Sequence, residues 1–302
     1  MEFDKSIKKM KILITDDFTN MRRTIKNMLR QIGFENIEEA DDGDTALAKL
    51  QSGLFGFLIL DWNMPRMPGI QVVRAVRADN ALRHLPILMV TAENWEDEIV
   101  EAAEEQVDGY IIKPFVTKTL EDKIAEILEK VKNPPEGEVI FDKGIDFLNK
   151  KMYDEAKIEF EKALKIKPNS AKATYFLGLA HFEKGELDKA EEFFKNAISY
   201  NSRYVKAFHS LGELMYKKGD IKNAIVHLEQ ASSISPRAPQ RQMLLGELYI
   251  KEKRHNDAIA LFKRAMEQLF STAETKEKIK EMIKGLPDTE KTMFKDGLKL
   301  DL

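Results

Sequence analysis

Acidic, hydroxyl and basic side chains directly follow strand-length apolar runs in the first part of this 302-residue chain. The residues after KILIT, FGFLIL, PILMV and GYII are, in turn, Asp16 with Asp17, Asp61, Thr91 and Lys113. Because the carboxyl ends of parallel strands meet at one edge of an open sheet, we expect these five side chains to converge. Three carboxylates repel one another unless a cation neutralises them, and an all-oxygen set favours a hard ion such as Mg²⁺. Mg²⁺ beside a carboxylate, a hydroxyl and a lysine is an arrangement for phosphoryl transfer.

Each of these residue types also has an ordinary structural role. An Asp-Asp pair after a strand is most often a helix N-cap, a lone Thr at a strand end is usually a turn hydroxyl, and most exposed lysines only increase solubility. Five such residues at the required strand ends favour the functional interpretation.

Stretches with helical periodicity separate the apolar runs, at 21–31, 44–51, 70–78, 97–106 and 118–131. Strand-length runs that alternate with helices predict a parallel sheet with helices on both faces. After Pro134-Pro135 the remaining sequence is helical in pattern. Consecutive prolines end a helix and favour an extended connector. We therefore predict an α/β domain over 1–132, a linker over 133–136 and an all-α remainder.

The α/β domain resembles the CheY-like receiver domains of two-component signalling. The shared stretches are TDDFTNMRR, DWNMP, VTAE and GYIIKPF. The resemblance implies a doubly wound, flavodoxin-like parallel sheet of five strands, with the strand order 2-1-3-4-5 that is known for this family. It also implies a response regulator that a histidine kinase phosphorylates, and no enzymatic activity apart from Mg²⁺-dependent self-phosphorylation and self-dephosphorylation.

The resemblance assigns a role to each matching residue of the site. Asp61 is similar to the phosphoacceptor, which takes phosphate as an acyl phosphate. Asp16 and Asp17, with Asp61 and the backbone carbonyl of Asn63, resemble the Mg²⁺ ligands. Lys113 would pair with a phosphoryl oxygen.

A switch is also implied by the resemblance. Thr91 would donate a hydrogen bond to the phosphoryl group, and Tyr110 would then rotate inward. Pro114 resembles the family's cis-proline position. Asn63 and Glu93 flank the site where attacking water enters, and they resemble the residues of fast-dephosphorylating chemotaxis proteins.

Two departures from the family pattern are visible. Pro68 stands where the family usually has an acidic residue, which predicts an altered cap on the third helix. Acidic and aromatic residues over 95–98 replace the lysines found near the flagellar-motor contact of chemotaxis relatives, although Ile99, Tyr110 and Lys123 keep part of that face.

A 34-residue repeat runs through the second half of the chain. It shows in three sets of in-phase residues: Gly144, Gly178, Gly212 and Gly246; Ala156, Ala190, Ala224 and Ala258; and Phe160, Phe194, Leu228 and Phe262. Small residues let helices approach closely, and the bulky residue fills the space beside them. The pattern resembles the tetratricopeptide repeat, with four units over 137–270, and implies an α-solenoid whose concave groove holds a peptide or helix of another protein. We assign 271–302 to a capping helix and a C-terminal tail.

The residues predicted to bind a partner lie on the first helices of the second, third and fourth repeats: Tyr175, Leu179, Phe182, His209, Glu213, Tyr216, Met243 and Glu247. The lysines and asparagines that clamp a terminal carboxylate in known members are absent. An aromatic groove with acidic residues toward one end favours an amphipathic helix that carries basic groups. The alternative is that several of these side chains only pack between neighbouring helices.

Composition limits the other functions. The chain has 48 Lys+Arg against 51 Asp+Glu, a net charge of −3, and no Cys. This balance argues against nucleic acid or an anionic membrane as the main partner, and the lack of Cys excludes disulfides, thiolate metal sites and cysteine nucleophiles. Because no signal peptide or spanning segment is recognisable, we expect a soluble cytoplasmic protein.

The sequence contains no helix-turn-helix signature, no GxxxxGK[ST] loop and no second catalytic cluster, so the repeat array is the candidate output. The leading hypothesis is that phosphorylation of Asp61 changes how the groove, or the receiver surface around its last strand, engages a protein partner. In one alternative the receiver drains phosphate from a shared kinase and the array only localises it. In another the array is a constitutive scaffold.

Overall fold

The structure is a computed structural model that describes residues 3–92, 107–236, 238–267 and 273–299. The chain forms two compact units, Met1–Pro134 and Pro135–Leu302, which divide inside the predicted linker. The first helix of the second unit begins at Glu136, within that linker. Proline is tolerated at a helix start because the first backbone N–H groups have no partner within the helix.

The first unit is a five-stranded sheet covered by helices. Its elements are α1 (Lys5–Lys8), β1 (Ile12–Thr15), α2 (Thr19–Ile32), β2 (Ile37–Ala40), α3 (Gly43–Ser52), β3 (Phe57–Asp61), α4 (Gly69–Ala78), β4 (Ile87–Thr91), β5 (Gly109–Ile112) and α5 (Thr117–Lys132). All strand pairs are parallel, in the order β2-β1-β3-β4-β5. The predicted doubly wound sheet is confirmed, while the helix predicted at 97–106 lies outside the described residues.

Alternation along the strands divides the core into two layers. Leu13 and Leu58 point to the layer that contains the buried residues of α3 and α4. Ile12 and Ile59 point to the opposite layer, with the buried residues of α2 and α5. Every residue of β1, β3 and β4 is buried, as expected for parallel strands covered on both faces.

The edge strand β2 differs from the other strands because it carries no apolar run. Its sequence is IEEA, and only Ala40 is fully buried. Glu38 forms an ion pair with Lys11 at 2.7 Å, and Glu39 with Lys26 at 2.6 Å. An edge strand covered by polar contacts does not need the hydrophobic signal of a central strand.

The second unit is all helical within its described residues. Its helices are α6 (Glu136–Asn149), α7 (Tyr153–Ile166), α8 (Ala171–Glu183), α9 (Leu187–Tyr200), α10 (Val205–Lys217), α11 (Ile221–Ile234), α12 (Pro239–Lys251), α13 (His255–Glu267), α14 (Ala273–Lys284) and α15 (Asp288–Leu298). From α6 to α13 they pack in four consecutive pairs, and each pair also packs against the next. This arrangement agrees with the predicted α-solenoid.

The in-phase glycines allow close packing within the helix pairs. A Cβ added at Gly144 would lie 2.5 Å from Phe160 Cε1, and one at Gly212 would lie 2.6 Å from Leu228 Cγ. Gly246 meets Phe262 in the same way. The predicted roles of the small and bulky positions are therefore confirmed.

The last two helices extend the core of the array. Ile279 and Ile283 of α14 and Phe294 of α15 are fully buried. The ring of Phe294 lies 6.4 Å from that of Phe262, and α15 packs against α13. The predicted capping segment thus covers the end of the fourth helix pair.

None of the helices in the described ranges is both long enough and apolar enough to cross a membrane.

Candidate functional site

The residues predicted from the strand ends lie at the carboxyl edge of the sheet. Asp61 ends β3 and Thr91 ends β4, while Asp16 and Lys113 directly follow β1 and β5. The backbone N–H of Lys113 donates to the carbonyl of Thr91 at 2.7 Å, which holds the ends of β4 and β5 together. Asp16, Asp61 and Thr91 are each less than one-tenth exposed.

Lys113 joins two of the three carboxylates. Its Nζ lies 2.5 Å from Asp61 Oδ1 and 2.8 Å from Asp16 Oδ2. The lysine side chain is 13 % exposed, so both contacts are shielded from water. The ammonium therefore compensates two buried carboxylates, which would be costly to bury without a partner of opposite charge.

Backbone N–H groups fix the other carboxylate oxygens. Asp16 Oδ1 accepts from the N–H of Phe18 at 2.8 Å, and Asp61 Oδ2 accepts from the N–H of Asn63 at 2.9 Å. Arg22 donates to the carbonyl of Asp16 at 2.7 Å. The carboxylates of Asp16 and Asp61 are therefore held in fixed orientations by the backbone.

Burial changes the acidity of the site. It raises the pKa of Asp61 to about 6, with Asp16 adding repulsion and Lys113 opposing the shift. Burial, followed by the charge of Asp16, also raises the pKa of Asp17. For Lys113 burial acts to lower the pKa, but the bonds to Asp16 and Asp61 outweigh it and the pKa is raised. The carboxylates thus favour a cation or a proton.

The donor set fits Mg²⁺. Asp17 Oδ1 is buried and has no hydrogen-bond partner in the described structure. A buried polar atom normally has a partner, so this oxygen is suited to bind a metal ion. The described part of the chain holds no group of three or more acidic or histidine side chains already arranged to bind a metal ion, and Lys113 Nζ occupies one oxygen each of Asp16 and Asp61. A metal ion would therefore compete with Lys113 for these oxygens.

A buried carboxylate that sequence reasoning missed positions the loop after Asp61. Asp42 is 2 % exposed and precedes α3 as its N-cap. It accepts hydrogen bonds from the N–H groups of Gly43 at 2.7 Å, Arg66 at 3.1 Å and Met67 at 2.9 Å. Its place before a helix was a visible signal for capping, but nothing local indicated the contact with residues 66 and 67.

The switch residues occupy different environments. Thr91 is 4 % exposed, whereas Tyr110 on β5 is 42 % exposed. The outward position of Tyr110 is the one from which the predicted inward rotation would start. The Lys113–Pro114 peptide bond is cis, as the resemblance implied.

Pro68 lies at the start of the helix that follows the Asp61 loop. Helix α4 has Pro68 at its N-cap and no side-chain cap, so the altered cap is confirmed. Glu93, Ile99 and the acidic segment at 95–98 lie outside the described residues.

The predicted partner-binding residues of the repeats divide into two groups. Tyr175 and Met243 are only 7 % and 9 % exposed, and the hydroxyl of Tyr175 lies 3.2 Å from that of Ser210. These two side chains pack between helices, as the alternative interpretation predicted. Their assignment to an exposed partner-binding surface is therefore wrong. The other six remain partly exposed: Leu179, Phe182, His209, Glu213, Tyr216 and Glu247.

The two glutamates of this set have partners within the array. Glu247 accepts from the hydroxyl of Tyr216 at 2.9 Å and lies 3.3 Å from Lys251 Nζ. Glu213 lies 3.4 Å from His209 Nε2. The charge of Glu247 is therefore already paired with Lys251 on the surface where a basic partner was expected, whereas Glu213 lies beside a histidine.

Family models match both units. Residues 12–125 match the model of the response regulator receiver domain. Residues 141–204 and 215–274 match two models of the tetratricopeptide repeat.

Individual relatives match one part of the chain at high identity. Chemotaxis protein CheY of Pseudomonas aeruginosa is 61% identical over 122 residues, which cover 40% of this chain and 98% of that protein. Chemotaxis protein CheY-3 of Vibrio cholerae is 54% identical over 124 residues, covering 41% and 95%. Among solved structures, that of CheY4 from Vibrio cholerae has 34% identity and a TM-score of 0.38, and covers 39% of this chain and 98% of that one.

Proposed function

The chain belongs to the response regulator receiver family, with tetratricopeptide repeats after its receiver domain, and on that premise we propose that it is a phosphorylation-controlled binding protein. A histidine kinase would phosphorylate Asp61 in a Mg²⁺-dependent reaction. The repeat array would then engage a protein partner with an affinity that depends on phosphorylation.

One observation carries the proposed chemistry. Lys113 Nζ contacts the carboxylates of both Asp61 and Asp16, with Asp17 beside them. A carboxylate nucleophile, two further carboxylates and a fixed ammonium are the groups that phosphoryl transfer to an aspartate requires. Helix capping alone does not explain these contacts, because Lys113 is distant in sequence from Asp16 and Asp61.

Each residue contributes to position or charge. An oxygen of the Asp61 carboxylate attacks phosphorus while the bond from phosphorus to the donor breaks. Lys113 turns from Asp61 to the incoming phosphoryl oxygens and neutralises their charge. Asp16, Asp17, Asp61 and the Asn63 carbonyl would hold Mg²⁺, which supplies further positive charge for the phosphoryl group. The N–H of Asn63 orients the nucleophile through Asp61 Oδ2.

The proposed switch links the site to the surface. Thr91 would donate its hydroxyl to the new phosphoryl group, and Tyr110 would move inward from its exposed position. A partner that prefers one of the two states by ~1–3 kcal/mol is sufficient for a useful response.

Phosphorylation of the full-length protein is tested first. We expect acetyl phosphate or a purified histidine kinase with ATP to add one phosphoryl group in Mg²⁺, and EDTA to prevent it, as followed by intact mass. Asp61→Asn removes the nucleophile and should abolish the reaction. Asp44→Asn is the matched control, because Asp44 is an exposed carboxylate near the same sheet edge that pairs with Arg66. Labelling of Asp61→Asn would contradict the assignment.

Coupling to the array is tested separately. Calorimetry of a bound partner should give different affinities for the protein with and without beryllofluoride. Equal affinities with rapid loss of phosphate would favour the phosphate-draining alternative. Equal affinities and normal behaviour of Asp61→Asn in cells would favour the constitutive scaffold.

A further inference from the structure

Arg22, in the first turn of α2, bridges the backbone of two proposed Mg²⁺ ligands. Its Nη1 donates to the carbonyl of Asp16 at 2.7 Å and to that of Asp17 at 3.3 Å. Its Nη2 donates to the hydroxyl of Thr19 at 3.1 Å. The Arg22 side chain is 13 % exposed, so these contacts are shielded from water. One planar guanidinium thus holds the connection from β1 to α2.

An acidic residue of the edge strand holds this guanidinium in turn. Glu39 of β2 pairs in register with Ile14 of β1, and its Oε2 lies 3.4 Å from Arg22 Nε. Its Oε1 accepts a hydrogen bond from Lys26 of α2 at 2.6 Å. That hydrogen bond lowers the pKa of Glu39, which therefore stays charged beside Arg22. Arg22 is thus fixed on one side by a carboxylate and on the other by the backbone of the site.

The two cations beside the site contact different atoms of it. Lys113 binds carboxylate oxygens of Asp16 and Asp61, which a metal ion would also use. Arg22 binds peptide carbonyls instead. Asp17 Oδ1 is buried and has no hydrogen-bond partner in the described structure, so no side-chain contact to this oxygen sets its direction. The place of this oxygen depends on the backbone that Arg22 holds.

We propose that Arg22 is a positioning residue of the Mg²⁺ site, and that Glu39 holds it for this role. By fixing the carbonyls of Asp16 and Asp17, the guanidinium directs both carboxylates toward one ion. Contacts behind the ligands orient them in this way at many metal sites. The rigid fork of an arginine serves several acceptors at once, which the single ammonium of a lysine cannot reproduce. The inference rests on the proposed function in one respect, namely that Asp16 and Asp17 bind Mg²⁺.

The direction of the change in Mg²⁺ affinity separates position from charge. A guanidinium that acted only through its charge would repel Mg²⁺, so Arg22→Gln would tighten Mg²⁺ binding and Arg22→Lys would leave it unchanged. A positioning role predicts that both variants bind Mg²⁺ more weakly, by roughly tenfold. Calorimetry of the full-length protein with Mg²⁺ alone, and no phosphodonor, measures this affinity. Unchanged or tighter Mg²⁺ binding in Arg22→Lys overturns the proposal.

The neighbouring arginine supplies matched controls. Arg23 is the next residue of α2 and is exposed, so Arg23→Gln and Arg23→Lys make the same chemical changes where charge is screened by solvent. Their Mg²⁺ affinity should stay within about twofold of that of the unmodified protein. An equal loss in Arg23→Lys and Arg22→Lys would contradict a specific role of Arg22. A residue that only stabilised the fold would lower the urea midpoint and leave the Mg²⁺ affinity of the folded protein intact.

The role of Glu39 is tested by the same measurement. Glu39→Gln should weaken Mg²⁺ binding in the unmodified protein but add little to the loss in Arg22→Lys, because the two side chains act through one contact. Glu38→Gln is the control, since it removes an equal charge from the adjacent residue of β2. Glu38 pairs with Lys11 and Lys49 instead. Additive losses in the double variant, or an equal loss in Glu38→Gln, would show that Glu39 does not act through Arg22.

Asp17→Asn separates this inference from the proposed function. If Asp17→Asn weakens Mg²⁺ binding and Arg22→Lys does not, the metal site stands and the role of Arg22 fails. If both variants weaken Mg²⁺ binding but Asp61 takes no phosphoryl group, the role of Arg22 stands and the proposed phosphorylation fails. If Asp17→Asn leaves Mg²⁺ binding unchanged, the ion binds elsewhere and both fail.

Discussion

Asp42 Oδ1 accepts a hydrogen bond from the backbone N–H of Met67 at 2.9 Å, although 25 residues separate the two in sequence. The other oxygen of the carboxylate accepts from the N–H of Arg66 at 3.1 Å. Both donors belong to the loop between Asp61 and α4. The buried Asp42 carboxylate, between β2 and α3, therefore fixes the loop between β3 and α4. That loop carries Asn63, a proposed metal ligand.

We predict that Asp42→Asn loosens this loop. An amide offers one acceptor oxygen instead of two, so at least one backbone N–H loses its partner at a cost of ~1–3 kcal/mol. Urea unfolding followed by tryptophan fluorescence reports on this unit, because both tryptophans, Trp62 and Trp95, lie in it. The rate of phosphorylation by acetyl phosphate should fall as well. Asp44→Asn, at a side chain 51% exposed, should change stability by less than ~0.5 kcal/mol, and an equal loss there would refute the role of Asp42.

A second prediction concerns the competition between Lys113 and Mg²⁺. Lys113→Met keeps a long side chain but removes the ammonium from two of the three carboxylates. Mg²⁺ affinity measured by calorimetry should increase by ~1 kcal/mol or more, about fivefold, while phosphorylation slows. Lys118→Met removes an exposed lysine that pairs with Asp122 and should leave Mg²⁺ affinity unchanged. Weaker Mg²⁺ binding in Lys113→Met would show that the ammonium does not compete.

The sequence predicted the central part of the receiver better than its edges. The runs that contain β1, β3 and β4 are apolar because those strands are buried on both faces, and the charged residues that follow them locate the site. β2 has no such run, since Glu38 and Glu39 of this edge strand are satisfied by lysines. Asp42 was not predicted as a loop anchor, because its partners are distant in sequence.

In the repeats, the sequence predicted the packing positions but not the turn geometry. The residues between the two helices of each pair have positive φ: 59° at Lys151, 85° at Gly185, 83° at Gly219 and 59° at Lys253. They are again 34 residues apart. Only two of the four residues are glycine. The residue types therefore do not reveal that all four repeats require a positive φ at this position.

The turn geometry leads to a third prediction. Gly219→Ala should destabilise the array by ~1–2 kcal/mol, because alanine is strained at positive φ even though no atom lies within 4 Å of the new Cβ. Lys253→Gly should stabilise it by a smaller amount, since the freedom of glycine in the unfolded chain offsets part of the gain. In both variants the unfolding midpoint followed by helical circular dichroism should shift, whereas the midpoint followed by tryptophan fluorescence should stay constant. If both variants shifted the unfolding midpoint in the same direction, the stability changes would not arise from the positive φ of these residues.

A fourth prediction concerns a buried histidine in the repeats. His181 is 5% exposed, its ring stacks on Phe193 at 5.2 Å, and its Nδ1 lies 2.5 Å from Glu186 Oε2. Burial lowers the pKa of His181, and the nearby charges of Lys157 and Lys189 act in the same direction, while Glu186 opposes them. The folded state therefore favours the neutral ring.

The sign of the pH effect follows from this difference. Below the ordinary histidine pKa of about 6.5 the unfolded chain takes up a proton that the folded chain resists, so stability is full above that pH and falls as the pH drops through it. Nuclear magnetic resonance of the full-length protein should place the His181 titration below the ordinary value. Glu186→Gln should lower it further, because the carboxylate of Glu186 favours the charged ring, whereas Glu183→Gln, on the exposed end of the same helix, should leave it unchanged. A higher pKa in Glu186→Gln would show that Glu186 does not stabilise the imidazolium form.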